Sequence, residues 1–522
     1  MIFHIQQRTQ RSWLLWIQWV IFGLYLNFSS NCWATPAQDT LGAVDSSSPM
    51  SAGLSMTPSL SYFNPSHLVW SSEKMTVGLV GVQQRLNLSF RERPVGADIS
   101  ASIYRAKSID IDPYVNERSV PLPSTTLKPR SLDEEAHQQF FLSTGLIKPL
   151  YKNQIVLGLF ALIPLHRFEY QSPHHVDERA QYFDNKLKFE RWGDQLEGLS
   201  ATMGIGYRVT HQWSVGLNTT MLNQAIAHSQ VFLSDASYQG LSVITPKVEV
   251  KSVFSPSFSV GWFRVFSTSK SVQNPLLSKE QQTTQSAFLT LHLPEEIKVE
   301  GQSQVKIWNY PYQDGQTAII QEFTQVYRYL PLRVRWGFSS DLPRSKATAS
   351  KWTFFTGGMW SQWSTYQSQH AEPAGWKDQF EGSIGFSWFQ KQVQLSTDLR
   401  WRPSPVPHQW GRSSYVDPHQ FTTVLSAGYM IHPQLSVGIA TQFHYLPERS
   451  DIKDQRSLDP VIDEFPASVD QVTNEPLQES IGLQSNNPGY PGYDSQGMIW
   501  SGMLHLTWRP QIRDVDKKDQ LK

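Results

Sequence analysis

Long segments that alternate apolar and polar residues, aromatic residues at the ends of those segments, and an export signal at the N-terminus together predict an all-β chain. The fold they predict is a transmembrane antiparallel β-barrel of about fourteen strands. In Leu435–Tyr445, Leu435, Val437, Ile439, Thr441, Phe443 and Tyr445 share one face, while Ser436, Gly438, Ala440, Gln442 and His444 share the other. Val393–Trp401 and Trp500–Trp508 repeat the pattern and end in tryptophan. Such runs exceed the ~5–6 residues usual in soluble strands and approach the length of a tilted membrane strand. Their polar faces, rich in Ser, Gly, Gln and Thr, suit a wet or plugged lumen.

At the N-terminus, Arg8 and Arg11 precede an apolar run from Leu14 to Phe28, and Cys32-Trp33-Ala34 follows. This is the layout of a secretory signal peptide over 1–34, with cleavage after Ala34. A membrane anchor is the competing reading, because the run is nearly long enough to span. A lipoprotein signal at Cys32 is a further alternative, but Ser29-Ser30-Asn31 is a poor lipobox. Cys32 is the single cysteine, so cleavage leaves neither a disulfide framework nor a cysteine metal site. Lys+Arg and Asp+Glu both number 45, which gives no basic footprint for nucleic acid. Nineteen tryptophans fit a protein with two membrane interfaces. The mean hydropathy of -0.38 excludes a helical membrane bundle but not a barrel, whose strands show lipid only every second residue.

The pattern places strands at 75–91, 138–149, 153–170, 199–209, 213–222, 246–264, 285–307, 319–340, 350–363, 380–390, 391–402, 419–431, 434–446 and 496–508. Connections fall into short ones, such as 148–154, 209–212 and 432–433, and long polar ones, such as 92–137, 171–198, 223–245, 364–379 and 447–495. Outer-membrane barrels have that asymmetry, with short periplasmic turns and long external loops. An even strand count leaves both chain ends periplasmic. The segment 509–522 reads as a charged periplasmic tail.

Dispersed along the chain are Ser61-Tyr62-Phe63-Asn64-Pro65-Ser66-His67-Leu68, Ile155–Tyr170, Gly204-Ile205-Gly206-Tyr207-Arg208 and Trp213-Ser214-Val215-Gly216-Leu217. Trp360-Ser361-Gln362-Trp363-Ser364-Thr365-Tyr366, Gly375-Trp376-Lys377-Asp378, Arg400–Pro407 and Ser426-Ala427-Gly428-Tyr429 follow. In order and spacing this set resembles the FadL-type outer-membrane transporters of long-chain fatty acids and aromatic hydrocarbons. Asn64, Pro65 and Ser66 resemble that family's Asn-Pro-Ala hatch motif, with serine in place of alanine. The chain departs from the family at its end, where a tail follows Trp508 instead of a terminal aromatic.

The resemblance implies a hatch over 35–74 that plugs the lumen of a barrel over 75–508. It also implies passive uptake of hydrophobic molecules and a gap at the third strand for lateral exit. Gly158 and Pro164 are the residues there that can weaken a strand ladder, although both also suit an ordinary strand. The partners expected are a fatty acid or hydrocarbon, outer-membrane lipid and lipopolysaccharide, with the protein acting as a monomer. Arg333 and Arg335 share the lumen phase of one strand, and Arg208 and Arg400 are assigned to the same face. Arginine binds carboxylates bidentately, so each is a candidate for a ligand carboxylate; pairing with Asp398 or with hatch carboxylates competes. His174-His175 with Asp177 and Glu178 reads as a solvated loop, because adjacent histidines seldom share one ion. No catalytic motif, metal site or cofactor motif is identified. An outer-membrane lipid hydrolase or acyltransferase, and a structural or adhesin barrel, stand as alternatives.

Overall fold

The computed structural model describes residues 37–42, 51–91, 137–151, 154–165, 175–176, 186–189, 199–226, 249–267, 282–308, 316–342, 350–367, 375–408, 415–453, 489 and 491–510. The expected signal peptide, most of the histidine-containing loop and nearly all of the charged tail lie outside the described residues.

Fourteen strands form one closed antiparallel barrel. In chain order they are β1 (Lys74–Phe90), β2 (His137–Pro149), β3 (Ile155–Pro164), β4 (Ser200–Arg208), β5 (Trp213–Ile226), β6 (Glu249–Ser267) and β7 (Gln282–His292). Then come β8 (Arg333–Asp341), β9 (Ser350–Ser361), β10 (Gln379–Gln390), β11 (Val393–Arg402), β12 (Gln420–His432), β13 (Leu435–Ile452) and β14 (Gly492–Trp508). Closure comes from β14 pairing with β1, from Met75↔Trp508 to Phe90↔Tyr493, so every barrel strand is paired on both sides. Strands that expose no edge are the β-structures that hydrocarbon tolerates.

The period-two alternation sets the two faces of the wall. One outward row runs in register through Leu79, Leu504, Ile439, Ala427, Leu395, Trp388 and Trp352. A second joins Trp401, Phe421, Tyr445 and Met498. Most of these apolar side chains are exposed, which in water would be an aggregation surface and against lipid is the expected one. Inward neighbours such as Val80, Met503, Ala440, Arg400 and Thr422 are buried, so something fills the barrel there.

The middle of the chain differs from the sequence expectation. The runs expected at 285–307 and 319–340 each divide in two. Their barrel parts are β7 and β8, which pair directly from Arg333↔His292 onward. The other parts, Glu295–Trp308 and Gln316–Leu330, pair only with each other as a separate two-stranded hairpin on the long-loop side. Pro294 and Pro331 stand at the two breaks. Proline has no N–H to give the ladder, so the wall stops there and the hairpin continues alone. The third strand ends at Pro164, short of the expected 170. Strands β13 and β14 extend farther toward the long loops than expected, to Ile452 and from Gly492.

Candidate functional site

The residues before β1 supply the filling. They form a short helix α1 (Ala37–Leu41), a 3-10 turn Ser51–Gly53, a second short helix α2 (Leu60–Phe63) and a 3-10 segment Pro65–Trp70. A five-residue helix is far below the length that is stable alone, so its position must be set by tertiary contacts. Those contacts reach opposite parts of the wall. Gln38 donates to Ser200 on β4, and Gln442 on β13 donates to Leu41 O at 2.6 Å. Asp39 pairs with Arg333 and Arg335 on β8, and Ser51 Oγ donates to Asp398 on β11 at 2.5 Å. A segment this small touches four sectors of a closed wall only by lying within the lumen.

Asn64, Pro65 and Ser66 tie the segment together. Asn64 Nδ2 donates to Gly53 O at 2.8 Å, and Ser66 Oγ donates to Asn64 Oδ1 at 2.5 Å. The asparagine therefore links the Ser51–Gly53 turn to the Pro65–Trp70 segment, and the serine hydroxyl has a use that an alanine lacks. On the wall side, Asn218 donates to Ser61 O and Tyr62 O, Ser66 N donates to Ser259 Oγ at 2.7 Å, and Thr290 donates to Phe63 O. These bonds satisfy backbone groups that burial would otherwise leave costly.

Close approach needs a wall without side chains. A Cβ at Gly204 would stand 2.9 Å from Ser61 O, and one at Gly206 would stand 2.7 Å from Pro65 O. Gly158, Gly216 and Gly261 meet Ser61, Ser66 and His67 in the same way. Glycines on β3, β4, β5 and β6 thus form a bed for residues 61–67. Gly158, expected to weaken the ladder of the third strand, pairs with Ile147 on one side and with Gly204 on the other. Pro164 is the last residue of β3 and pairs with Phe141, so it ends the ladder without interrupting it.

The four candidate arginines are all engaged within the protein. Arg335 Nη2 binds Asp39 Oδ1 at 2.8 Å, and Arg333 Nη1 binds the other oxygen. Tyr62 Oη donates to Asp39 Oδ1 at 2.9 Å. Burial alone would raise the Asp39 carboxyl, but Arg333 and Arg335 outweigh it and hold the group well below the usual carboxylate range. Arg400 Nη1 donates to Asp39 O at 3.0 Å, and its Nη2 binds Glu381 at 2.6 Å; Arg402 lies 3.6 Å from the same carboxylate. Arg208 donates to Val69 O. Its position at the short-turn end of β4, against Arg333 and Arg400 at the long-loop ends of β8 and β11, sets the height: α1 lies above, Pro65–Trp70 below.

Neither Asp39 nor Glu381 and Arg402 stood out in the sequence. Asp39 lies in a stretch without periodicity, and only its pairing with two arginines of one strand marks it.

The lumen has two unlike sides. The β7–β13 side carries Thr290, His292, Arg333, Arg335, Glu381, Arg400 and Gln442, all buried. The β14–β1–β2–β3 side is richer in apolar residues: Val80, Val82, Leu86 and Leu88 of β1 join Phe141, Phe160, Leu162, Ile499, Met503 and Tyr493 in one cluster, with Gln84, Gln139, Ser143 and Ser501 buried among the same strands. Leu41, Tyr62 and Phe63 pack into it from the segment within the lumen. Below, Ile147 and Val156 pack against Leu60, Leu68 and Val69. Two apolar clusters therefore lie on this side, one reaching the long-loop end and one at the short-turn end.

At the long-loop end, the tryptophan-rich motifs come together. Trp363, Tyr366, Trp376 and Tyr415 form a buried aromatic cluster with Val406, and Tyr366 stacks on Trp376 with ring centroids 4.0 Å apart. Arg449 fixes one of the loops that supply it. Its guanidinium donates to Ser404 Oγ, Val406 O, Pro407 O and Asp417 O and pairs with Asp451 at 3.0 Å.

No protein-family model matches the chain, and no curated protein matches it in sequence. Solved structures do resemble it in fold. A FadL homologue of Pseudomonas aeruginosa is 12% identical, with 92% of this chain and 100% of that one covered and a TM-score of 0.48. The toluene transporter TodX of P. putida is 8% identical, with 90% and 100% covered and a TM-score of 0.43. The toluene transporter TbuX of Ralstonia pickettii is 10% identical, with 90% and 99% covered and a TM-score of 0.39.

Proposed function

We propose that this chain is an outer-membrane transporter that passively admits hydrophobic small molecules, such as long-chain fatty acids or hydrocarbons, past a plug formed by residues 35–74. The observation that carries the reading is the apolar lining on the β14–β1–β2–β3 side of the lumen. Barrel lumens are ordinarily polar, and a polar lumen offers an apolar solute nothing over bulk water. An apolar patch offers about 0.8 kcal/mol for each methylene it removes from water. The plug covers that wall with Leu41, Tyr62, Phe63, Leu60 and Leu68, so a solute replaces one set of apolar contacts by another.

Sideways exit at β3, the finer part of the proposal, requires a ladder to part, because β3 is paired with β2 and β4 along its length. The protein works in contact with membrane lipid and lipopolysaccharide, and a single copy supplies a complete barrel and plug.

The test is uptake of labelled hexadecanoate and hexadecane across bilayers whose outer leaflet is lipopolysaccharide, with and without the protein. Val82→Asn and Leu88→Gln, which put polar groups on the apolar lining, should slow both. A protein that speeds neither solute, or variants that carry both at the wild-type rate, would refute the proposal.

A further inference from the structure

We propose that the outward face of β9–β13 holds one phospholipid of the periplasmic leaflet, with an acyl chain in a groove of the barrel wall and its phosphate at Lys391. The site rests on the outer-membrane placement above and not on transport, because it lies on the other side of the wall from the lumen. The outward row through Trp352, Trp388, Leu395, Ala427 and Ile439 runs beside a second row through Phe386, Thr397, Leu425 and Thr441. Thr397, Ala427 and Thr441 are short where their neighbours are large. The wall is hollowed there into a groove of about 600 Å³.

The groove has a direction. At one end Trp352 already stands at the turn between β8 and β9, since Leu342 N donates to Trp352 O at 2.9 Å. Trp388 is two residues from the end of β10, and the turn after it holds Lys391. At the other end, Ile439 and Thr441 lie four and six residues into β13, counted from Leu435. The groove therefore starts at the short-turn rim and climbs into the hydrocarbon. It crosses five adjacent strands, about 19 Å at ~4.8 Å a strand, comparable with the ~15 Å depth of one leaflet's hydrocarbon.

The chemistry along that path matches one kind of molecule. Tryptophan favours the membrane interface, and Trp352 and Trp388 meet at the rim with ring centroids 6.3 Å apart. Lys391 is exposed and makes no ion pair among the described residues, while the rim carboxylate of β8, Asp341, is taken by Lys351 at 2.9 Å. A lysine ammonium is a point charge that suits phosphate. Inside a bilayer an apolar wall gains nothing merely by meeting hydrocarbon, so a resident lipid is held by fit and by its headgroup. The hollow supplies the fit, because atoms that line a gap lack contacts until a chain fills it. Glycerophospholipid forms the periplasmic leaflet, whereas the phosphates of lipopolysaccharide lie across the membrane from Lys391. A second copy of the chain would bring an apolar wall with no anion for that lysine.

Native mass spectrometry of the full-length protein in detergent, supplied with one lipid at a time, tests the site. Palmitoyl-oleoyl phosphatidylglycerol should leave one lipid bound once detergent is stripped, and dioleoylglycerol, which has no phosphate, should leave none. Ala427→Trp and, independently, Thr397→Phe fill the groove and should abolish that adduct. Leu504→Trp, on the outward face of β14, should keep it. Lys391→Gln should weaken retention roughly fivefold, the effect of one lysine at a charged lipid surface. The folded-barrel shift on unheated electrophoresis shows that each variant is intact. No retained phospholipid, equal retention of the diacylglycerol, or retention unaltered by either groove-filling change overturns the proposal. So does lipid A held in preference to phosphatidylglycerol, or a two-chain mass that Ala427→Trp reduces to one. Hexadecane uptake by the same preparation reads the transport proposal separately, and none of these outcomes bears on it.

Discussion

Replacing Gly206 with alanine puts one methyl carbon between the wall and the plug. It would stand 2.7 Å from Pro65 O and 3.1 Å from Val69 Cγ1, whereas ordinary contact begins at 3.4 Å. The valine methyl can turn away, but the carbonyl belongs to backbone fixed by proline. Residues 65–66 must therefore retreat by about 0.7 Å, the difference between 3.4 and 2.7 Å. That movement disturbs the Ser66 N to Ser259 Oγ bond and the Arg208 bond to Val69 O. Overpacking of this kind costs about 1–3 kcal/mol, borne by plug docking and not by the wall, whose Val156↔Gly206 and Gly206↔Gly216 pairs remain. Amide hydrogen exchange over residues 60–71 should then speed up by roughly 5- to 150-fold. The folded-barrel shift on unheated electrophoresis should persist. Gly502→Ala is the control, since nothing lies within 4 Å of its added carbon. If Gly206→Ala and Gly502→Ala exchange alike in residues 60–71, the plug is not seated on a glycine bed.

Other changes act on other supports of the same assembly. Asp39→Ala should destabilise plug docking by about 3–5 kcal/mol in urea titrations, and adding Arg333→Leu with Arg335→Met should recover most of it; no recovery would mean the charges are not what the aspartate satisfies. Burial pushes His67 down to about 4, with the Ala287 carbonyl opposing, so the seated plug favours the neutral ring. That contribution is complete above the unfolded value of about 6.5 and is lost as pH falls toward 4, roughly 3 kcal/mol in all. The Asp39 carboxylate stays ionised through that window, so His67→Gln should flatten plug stability between pH 7 and pH 4; an unchanged pH profile would count against the assignment. Arg449→Ala should leave the barrel folded but expose residues 403–408 to proteinase K, while Arg449→Lys, which keeps the charge without the fan of donors, should protect only in part.

The wall was readable because alternation is a local property. Val393–Trp401 and Trp500–Trp508 show their lipid phase residue by residue, and the structure exposes that phase. The split at Pro294 and Pro331 was readable too, had the prolines been given their weight in runs otherwise rich in strand formers. The apolar lining also left a trace. Val77–Val82 and Ile155–Ile163 are apolar at nearly every position, so their alternation fails, which is how a strand reads when both faces meet apolar partners. Asp39 was not legible. Its role depends on two arginines 294 and 296 residues away, and no local pattern encodes a pairing across that distance. The contact of Gly158 with the plug was not legible either, because a glycine in a strand looks the same whether it weakens a ladder or admits a neighbour.

The division of the lumen gives the plug two kinds of contact. Its apolar contacts, through Leu41, Tyr62 and Phe63, have no directional requirement, and any apolar molecule of similar volume can stand in for them. They seal the barrel without fixing the plug to one place. Its polar contacts do the reverse: the two oxygens of Asp39, the Asn218 amide and the Ser66 N–H each accept one geometry only. Two of these sets lie at different heights. The bonds at Ser61, Tyr62 and Ser66 sit on the glycine bed at the short-turn end, whereas Asp39 is held at the long-loop end. Losing the upper set frees α1 and uncovers the upper apolar lining, while the lower set keeps Pro65–Trp70 in position.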